Sequence, residues 1–242
     1  MTTRIAGPLV FLAALISLAA AAPENPAPPP KAAFEPTDRF VAQTIEGWKV
    51  LVHKRLLDEQ KDLGAETLKV LGMHLADVTR MVPARALAEL RKVMIWVEAD
   101  NPKVVCMCYH PSKEWLTDHG FNPEKARCVE LGNPKNFLDW THHQRAMVLH
   151  ELAHAYHHQV LGYDQPDIKA AFKRAQESKS YESVLFYDGS KKRAYAMEND
   201  QEYFAELTEA YFSTNDFYPF VRPEVKEHDP QMFEVLKKAW ER

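Results

Sequence analysis

Cysteine is scarce in this chain, with three residues in 242, and none precedes Cys106. That excludes an N-terminal lipid anchor of the bacterial lipoprotein kind. It also allows at most one disulfide, with one thiol left over. A Cys-based metal site would lack a fourth ligand at sensible spacing. Runs of Lys and Arg are missing and the formal net charge is −4, so nucleic acid is not an expected partner. A second long hydrophobic run is missing too, so nothing after the N-terminus is expected to stay in a membrane. No internal repeat is visible. What remains is a chain that is 46% hydrophobic, enough to build the core of one good-sized domain.

The N-terminus is of a different character. MTTR carries one positive charge, and IAGPLVFLAALISLAAAA is apolar and ends in small residues. Residues 1–22 thus have the layout of a secretory signal peptide, with cleavage expected between Ala19 and Ala22. Gly7 and Pro8 shorten the apolar run below a membrane span. Residues 23–36 hold prolines at 23, 26, 28, 29, 30 and 36, which favour an extended, hydrated linker. Residues 37–242 are read as one domain, exported to a secreted, periplasmic or extracellular location and taken as a monomer. One disulfide is expected in that oxidising setting. Cys106 and Cys108 are two apart and would share a strand face, so either could pair with Cys128.

Along the chain, Val41–Ile45 and Trp48–Val52 alternate around Glu46-Gly47 and predict a hairpin. Leu68, Leu71, Leu75 and Val78 give helical spacing over 65–81, and Pro83 opens a short helix, Ala84–Leu90. KVMIWVEA and KVVCMCYH are strand-like runs joined by a turn at Asp100-Asn101-Pro102, and RCVELGN is a third. A helix is expected over Thr141–Leu161, another over Pro166–Ser178, and two extended pieces around Asp188-Gly189. Asn199 or Asp200 caps a helix, Gln201–Phe212. TNDFYPFVRPEVKEHDP reads as a proline-marked loop, and Gln231–Trp240 as a closing helix. The order predicts an α+β domain with its chemistry on the helices.

That chemistry lies in VLHELAHAYHHQV, residues 148–160. On a helix, His150 and His154 fall one turn apart on one face and can aim two imidazoles at one ion. Glu151 lies between them in projection. This is the H-E-x-x-H arrangement, two zinc ligands and a general base for a zinc-activated water. His157 is two turns from His150, about 10 Å of rise, too far to share that ion. His154 and His158 form a second such pair, but only the first pair has a glutamate directly after its first histidine, so His157 and His158 are given supporting or surface roles, and His142 and His143 packing or hydration. A third ligand is needed. Val160 and His157 stand where a third histidine and a glycine of the H-E-x-x-H-x-x-G-x-x-H pattern would be, so a downstream acid is required. ENDQEYFAELTEAYF supplies Glu198, Glu202, Glu206 and Glu209 in a narrow wedge beside an apolar stripe. Spacing alone does not choose between Glu202 and Glu206.

HELAH, then Tyr195, then Glu-Tyr-Phe-Ala-Glu resembles the catalytic domain of the anthrax lethal factor-like zinc metallopeptidases, over about Thr141–Phe212. The resemblance implies a zincin-like fold of the gluzincin type: a small mixed sheet, an H-E-x-x-H helix and a downstream Glu-bearing helix. It implies Zn2+ on His150, His154 and Glu202, with Glu151 as base and Glu206 orienting a ligand histidine. It implies that Tyr195 donates a hydrogen bond to the developing oxyanion or leaving group, with Tyr187 and His228 as substitutes. The extended region before the helix becomes the edge strand on which a peptide or protein substrate lies. Two alternatives share these residues: a zinc hydrolase of a non-peptide amide or ester, and a zinc-stabilised extracellular binding protein with a degenerate site.

Overall fold

The computed structural model describes residues 34–241. The expected signal peptide and the linker up to residue 33 lie outside them. The chain opens with the expected hairpin, β1 (Phe40–Ile45) and β2 (Trp48–His53), in register Ile45↔Trp48. Glu46 and Gly47 both take positive φ, which the two-residue turn requires. Helices α1 (Lys54–Asp58) and α2 (Lys61–Met81) come next. α2 begins earlier than its apolar spacing suggests. Gly64 lets its first turn press on the backbone of Leu56, where any Cβ would sit 2.2 Å from the carbonyl oxygen. α3 (Ala84–Leu90) leads into β3 (Ile95–Val97), parallel to β2.

The chain continues through β4 (Met107–Tyr109), α4 (Lys113–Asp118) and β5 (Val129–Leu131). The sheet order is β1-β2-β3-β5-β4, so the runs joined at Asp100-Asn101-Pro102 are not neighbours. Past β3 the chain crosses over the end of β5: Asn101 N–H donates to the Gly132 carbonyl, and Val104 packs where a Cβ on Gly132 would be. β4 thus becomes an edge, antiparallel to β5.

The register sorts the two faces. Leu51, Trp96, Glu130 and Cys108 fall in one row, and the flanking Val50, Ile95, Val129 and Tyr109 point the other way, toward the helices. This corrects the disulfide expectation: all three cysteines are free. Cys106 precedes β4 rather than belonging to it, and its Sγ lies in the main core, 3.3 Å from Met147 Sδ. Cys108 sits 3.4 Å from His110 Nε2, and Cys128 packs with Phe40, Leu51 and Trp96.

The helical half begins with α5 (Pro134–Trp140), capped by Asn133 with Pro134 in its first turn. Turns through Thr141–Gln144 close its last carbonyls. The continuous helix expected over Thr141–Leu161 is therefore broken: α6 runs Met147–Tyr156 and ends in a π-helical turn, His157–Leu161. Beyond α7 (Pro166–Ser178) lie β6 (Val184–Leu185) and β7 (Lys191–Lys192), a small hairpin. α8 (Asp200–Phe212) is capped by Asn199, whose side chain accepts from Glu202 N–H. The expected C-terminal loop contains a helix, α9 (Arg222–His228), because Pro223 suits a first turn and Glu224 caps the backbone N–H groups of Phe220 and Val221. α10 (Pro230–Trp240) closes the chain. The result is an α+β arrangement with a small mixed sheet. Among the described residues no helix is long and apolar enough to cross a membrane.

Candidate metal centre

α6 is buried on nearly all sides, through Val148, Leu149, Leu152, Ala153 and Ala155. A helix so enclosed holds its polar side chains where its packing puts them. His150 and His154 emerge on the one face that meets α8 and a cavity of about 630 Å³. Their Nε2 atoms are 3.1 Å apart. Glu202, in the first turn of α8, brings Oε2 to 3.0 Å from His150 Nε2 and 3.2 Å from His154 Nε2. Ligand atoms about 2.0–2.1 Å from a tetrahedral ion would stand ~3.3 Å apart. The trio is therefore close to that spacing, and two imidazoles plus a carboxylate are a donor set that suits zinc.

The electrostatics agree. Burial alone would lower the His150 pKa, but Glu202 and Glu209 outweigh it and hold it well above its usual value. Burial alone would raise that of Glu202, but hydrogen bonds from both histidines hold it well below the carboxylate range. The site favours positive charge at this point, whether a proton or a metal ion carries it. Among the described residues no Lys or Arg lines the cavity.

Behind His150 stand two more carboxylates. Glu209 Oε1 is 2.6 Å from His150 Nδ1, and Glu206 Oε1 is 3.8 Å from it. The hydrogen bond expected from Glu206 thus comes from Glu209. All of these fall within the acidic wedge, but only the crossing of α6 and α8 decides which one reaches the imidazole. Burial pushes both carboxyl groups upward, Glu206 with the added repulsion of Glu209. Glu198 departs from the group: it precedes α8 and pairs with Arg193 at 2.7 Å on the surface.

Glu151 and Tyr195 line the same cavity. Tyr195 opens a single 3₁₀ turn, Tyr195–Met197, just before α8. Burial, and then the charge of Glu202, pushes its phenol up to about 12, so it keeps its proton. The two substitutes lie elsewhere: Tyr187 stacks on His143, and His228 packs between Tyr181 and Tyr218. His157 is not at the surface. It is fully buried against Phe204 and Tyr163, and among the described residues neither ring nitrogen has a hydrogen-bond partner. His158 Nδ1 lies 2.8 Å from the Tyr109 hydroxyl.

β4 forms one wall of the cavity. His110 N–H donates to Cys128, and the carbonyls of Cys106 and His110 accept from Gly132 and Arg127. Alternation then turns the backbone groups of Met107 and Tyr109 toward the open edge. A second ionisable cluster lies on the far face of the sheet. His110 Nε2 is 2.6 Å from Glu130 Oε2, and Lys125 Nζ bridges Glu130 and Glu98 at 2.6 and 2.5 Å. Burial opposes ionisation of Glu130, but His110 and Lys125 win and bring its pKa down to about 2. Lys125 already supplies the counter-charge there.

Residues 109–239, more than half of the chain, match the family model described as "Anthrax toxin lethal factor, N- and C-terminal domain". No curated protein and no solved structure gives a significant match.

Proposed function

From the premise that the chain belongs to the anthrax toxin lethal factor N- and C-terminal domain family, which suggests a zinc metallopeptidase, we propose that it is an exported, zinc-dependent peptidase of zincin-like fold. One observation carries this reading: His150, His154 and Glu202 converge to within 3.0–3.2 Å, beside Glu151 and an open sheet edge.

His150, His154 and Glu202 would hold the ion. A zinc ion there supplies Lewis acidity toward a water molecule and a substrate carbonyl. The chain's own groups do the rest. Glu209 accepts the Nδ1–H of His150 and so leaves the Nε2 lone pair facing the cleft. Glu151 takes a proton from the attacking water and returns it to the leaving amine. Tyr195, held in its protonated form, donates to the carbonyl oxygen as charge develops there. Met107 and Tyr109 offer backbone N–H and C=O groups on which an extended peptide adds as a strand. The layout of residues 1–22 supports export.

The test joins metal content to turnover. The mature wild type should hold about one zinc per chain and cleave peptides from a mixed library. Glu151→Gln should keep the zinc and lose cleavage. Cleavage that persists in Glu151→Gln would reject the proposed base, and wild type without zinc would reject the metal centre.

A further inference from the structure

The histidine-rich stretch continues past His154, and its second half has no part in holding the ion. Its packing leads to Tyr163. After the π-helical turn, Gly162 takes φ 82°, a conformation that L side chains rarely adopt. Tyr163, the next residue, lines the cleft together with His154 and Glu202. A π turn adds a residue to the helical repeat and re-aims the side chains beyond it, and such turns recur at functional sites.

The ring of Tyr163 is fixed on two sides. It stacks on His158 with centroids 4.7 Å apart and planes at 25°, and His157 meets it edge-on at 5.1 Å. His158 is in turn tied to Tyr109 at the end of β4 through the 2.8 Å contact between Nδ1 and the hydroxyl. Gln159 donates to that same hydroxyl at 3.1 Å. His157 and His158 thus hold the Tyr163 ring between them, and His158 links it to the edge strand. The Tyr163 hydroxyl itself has no hydrogen-bond partner among the described residues. Burial, then Tyr109, Glu202 and Glu151, keep it protonated and therefore a donor.

Tyr163 and Tyr195 both line the cleft but reach it from different elements, Tyr163 after the π-helical turn and Tyr195 from the 3₁₀ turn before α8. A peptide extended along β4 would pass Tyr163 at the Tyr109 end. We propose that Tyr163 is a substrate-binding residue whose hydroxyl donates to a main-chain carbonyl of the peptide at that end. The proposal rests on the metallopeptidase reading above.

The experiment compares zinc-loaded wild type with Tyr163→Phe on a set of peptides shortened one residue at a time from either end. The variant should raise KM about fivefold, the loss of one neutral hydrogen bond, with kcat within about twofold. The effect should vanish once the residue carrying the bound carbonyl is removed from the peptide. Zinc content and melting temperature should not change. An unchanged KM at every length would overturn the assignment. So would a fall in kcat alone, which would place the hydroxyl at the reacting carbonyl, or a loss of zinc or stability, which would make the role structural. Absence of cleavage by the wild type is a separate outcome: it removes the peptidase reading, and this proposal with it.

Discussion

Glu209 Oε1 lies 2.6 Å from the Nδ1 of His150, while Glu206, one turn nearer Glu202 along α8, stays 3.8 Å away. The carboxylate that fixes this imidazole is therefore seven residues from Glu202 rather than four. Glu209→Gln should weaken zinc binding by roughly tenfold or more, the usual cost of losing such a partner. Glu206→Gln should weaken it less. Competition with a chromogenic chelator measures both, and a larger loss in Glu206→Gln would transfer the orienting role to Glu206.

Glu202 supplies the only carboxylate oxygen within 3.2 Å of both imidazole Nε2 atoms among the described residues. Glu202→Ala should therefore lose most of its zinc while Glu151→Gln keeps it. Elemental analysis of the two variants side by side decides this. Full zinc retention in Glu202→Ala would point to another third ligand.

Tyr195 is held protonated and lines the cleft. Tyr195→Phe should lower kcat by about a hundredfold, in the range for one transition-state donor, with KM and zinc content nearly constant. Steady-state kinetics on one good peptide checks it. An unchanged kcat would leave Tyr195 as a wall of the cleft.

His157 is buried without a hydrogen-bond partner among the described residues, and burial, with His154 and His158 next, brings its pKa down to about 4. Its unfolded value is about 6.5. Between these two values the unfolded chain carries the proton and the folded chain does not. Stability should therefore rise with pH from about 4 to 6.5, and be lost on acidification through that window. Denaturant unfolding at several pH values should show a shallower slope for His157→Leu than for wild type. Parallel slopes would mean that another group sets the acid sensitivity.

Lys125 stands between Glu98 and Glu130 with almost no exposure of any of the three. Lys125→Met would leave two buried carboxylates facing each other. It should destabilise the fold by about 3–5 kcal/mol, the cost of breaking a buried ion pair from one side. A loss under about 1 kcal/mol would show that the carboxylates simply take up protons.

The sequence by itself determined what local geometry determines. The hairpin at Glu46-Gly47 comes from alternation and turn chemistry, which act over a few residues. The pairing of His150 with His154 comes from the pitch of one helix, and the acidic wedge of α8 from the pitch of another. The resemblance of HELAH and EYFAE pointed to the same set of residues. Tertiary structure alone decided how these pieces meet. β5 lies between β3 and β4 because Gly132 lets the chain cross it, and only that crossing makes β4 an edge. Cys106 turns into the main core, away from the cluster that holds Cys128, because it falls outside β4, a matter of one residue at a strand end. Glu209 reaches His150 because of the angle between two buried helices, and Tyr163 reaches the cleft because a π turn shifts the phase after His157. Each of these depends on contacts between segments distant in the chain, which no local spacing encodes.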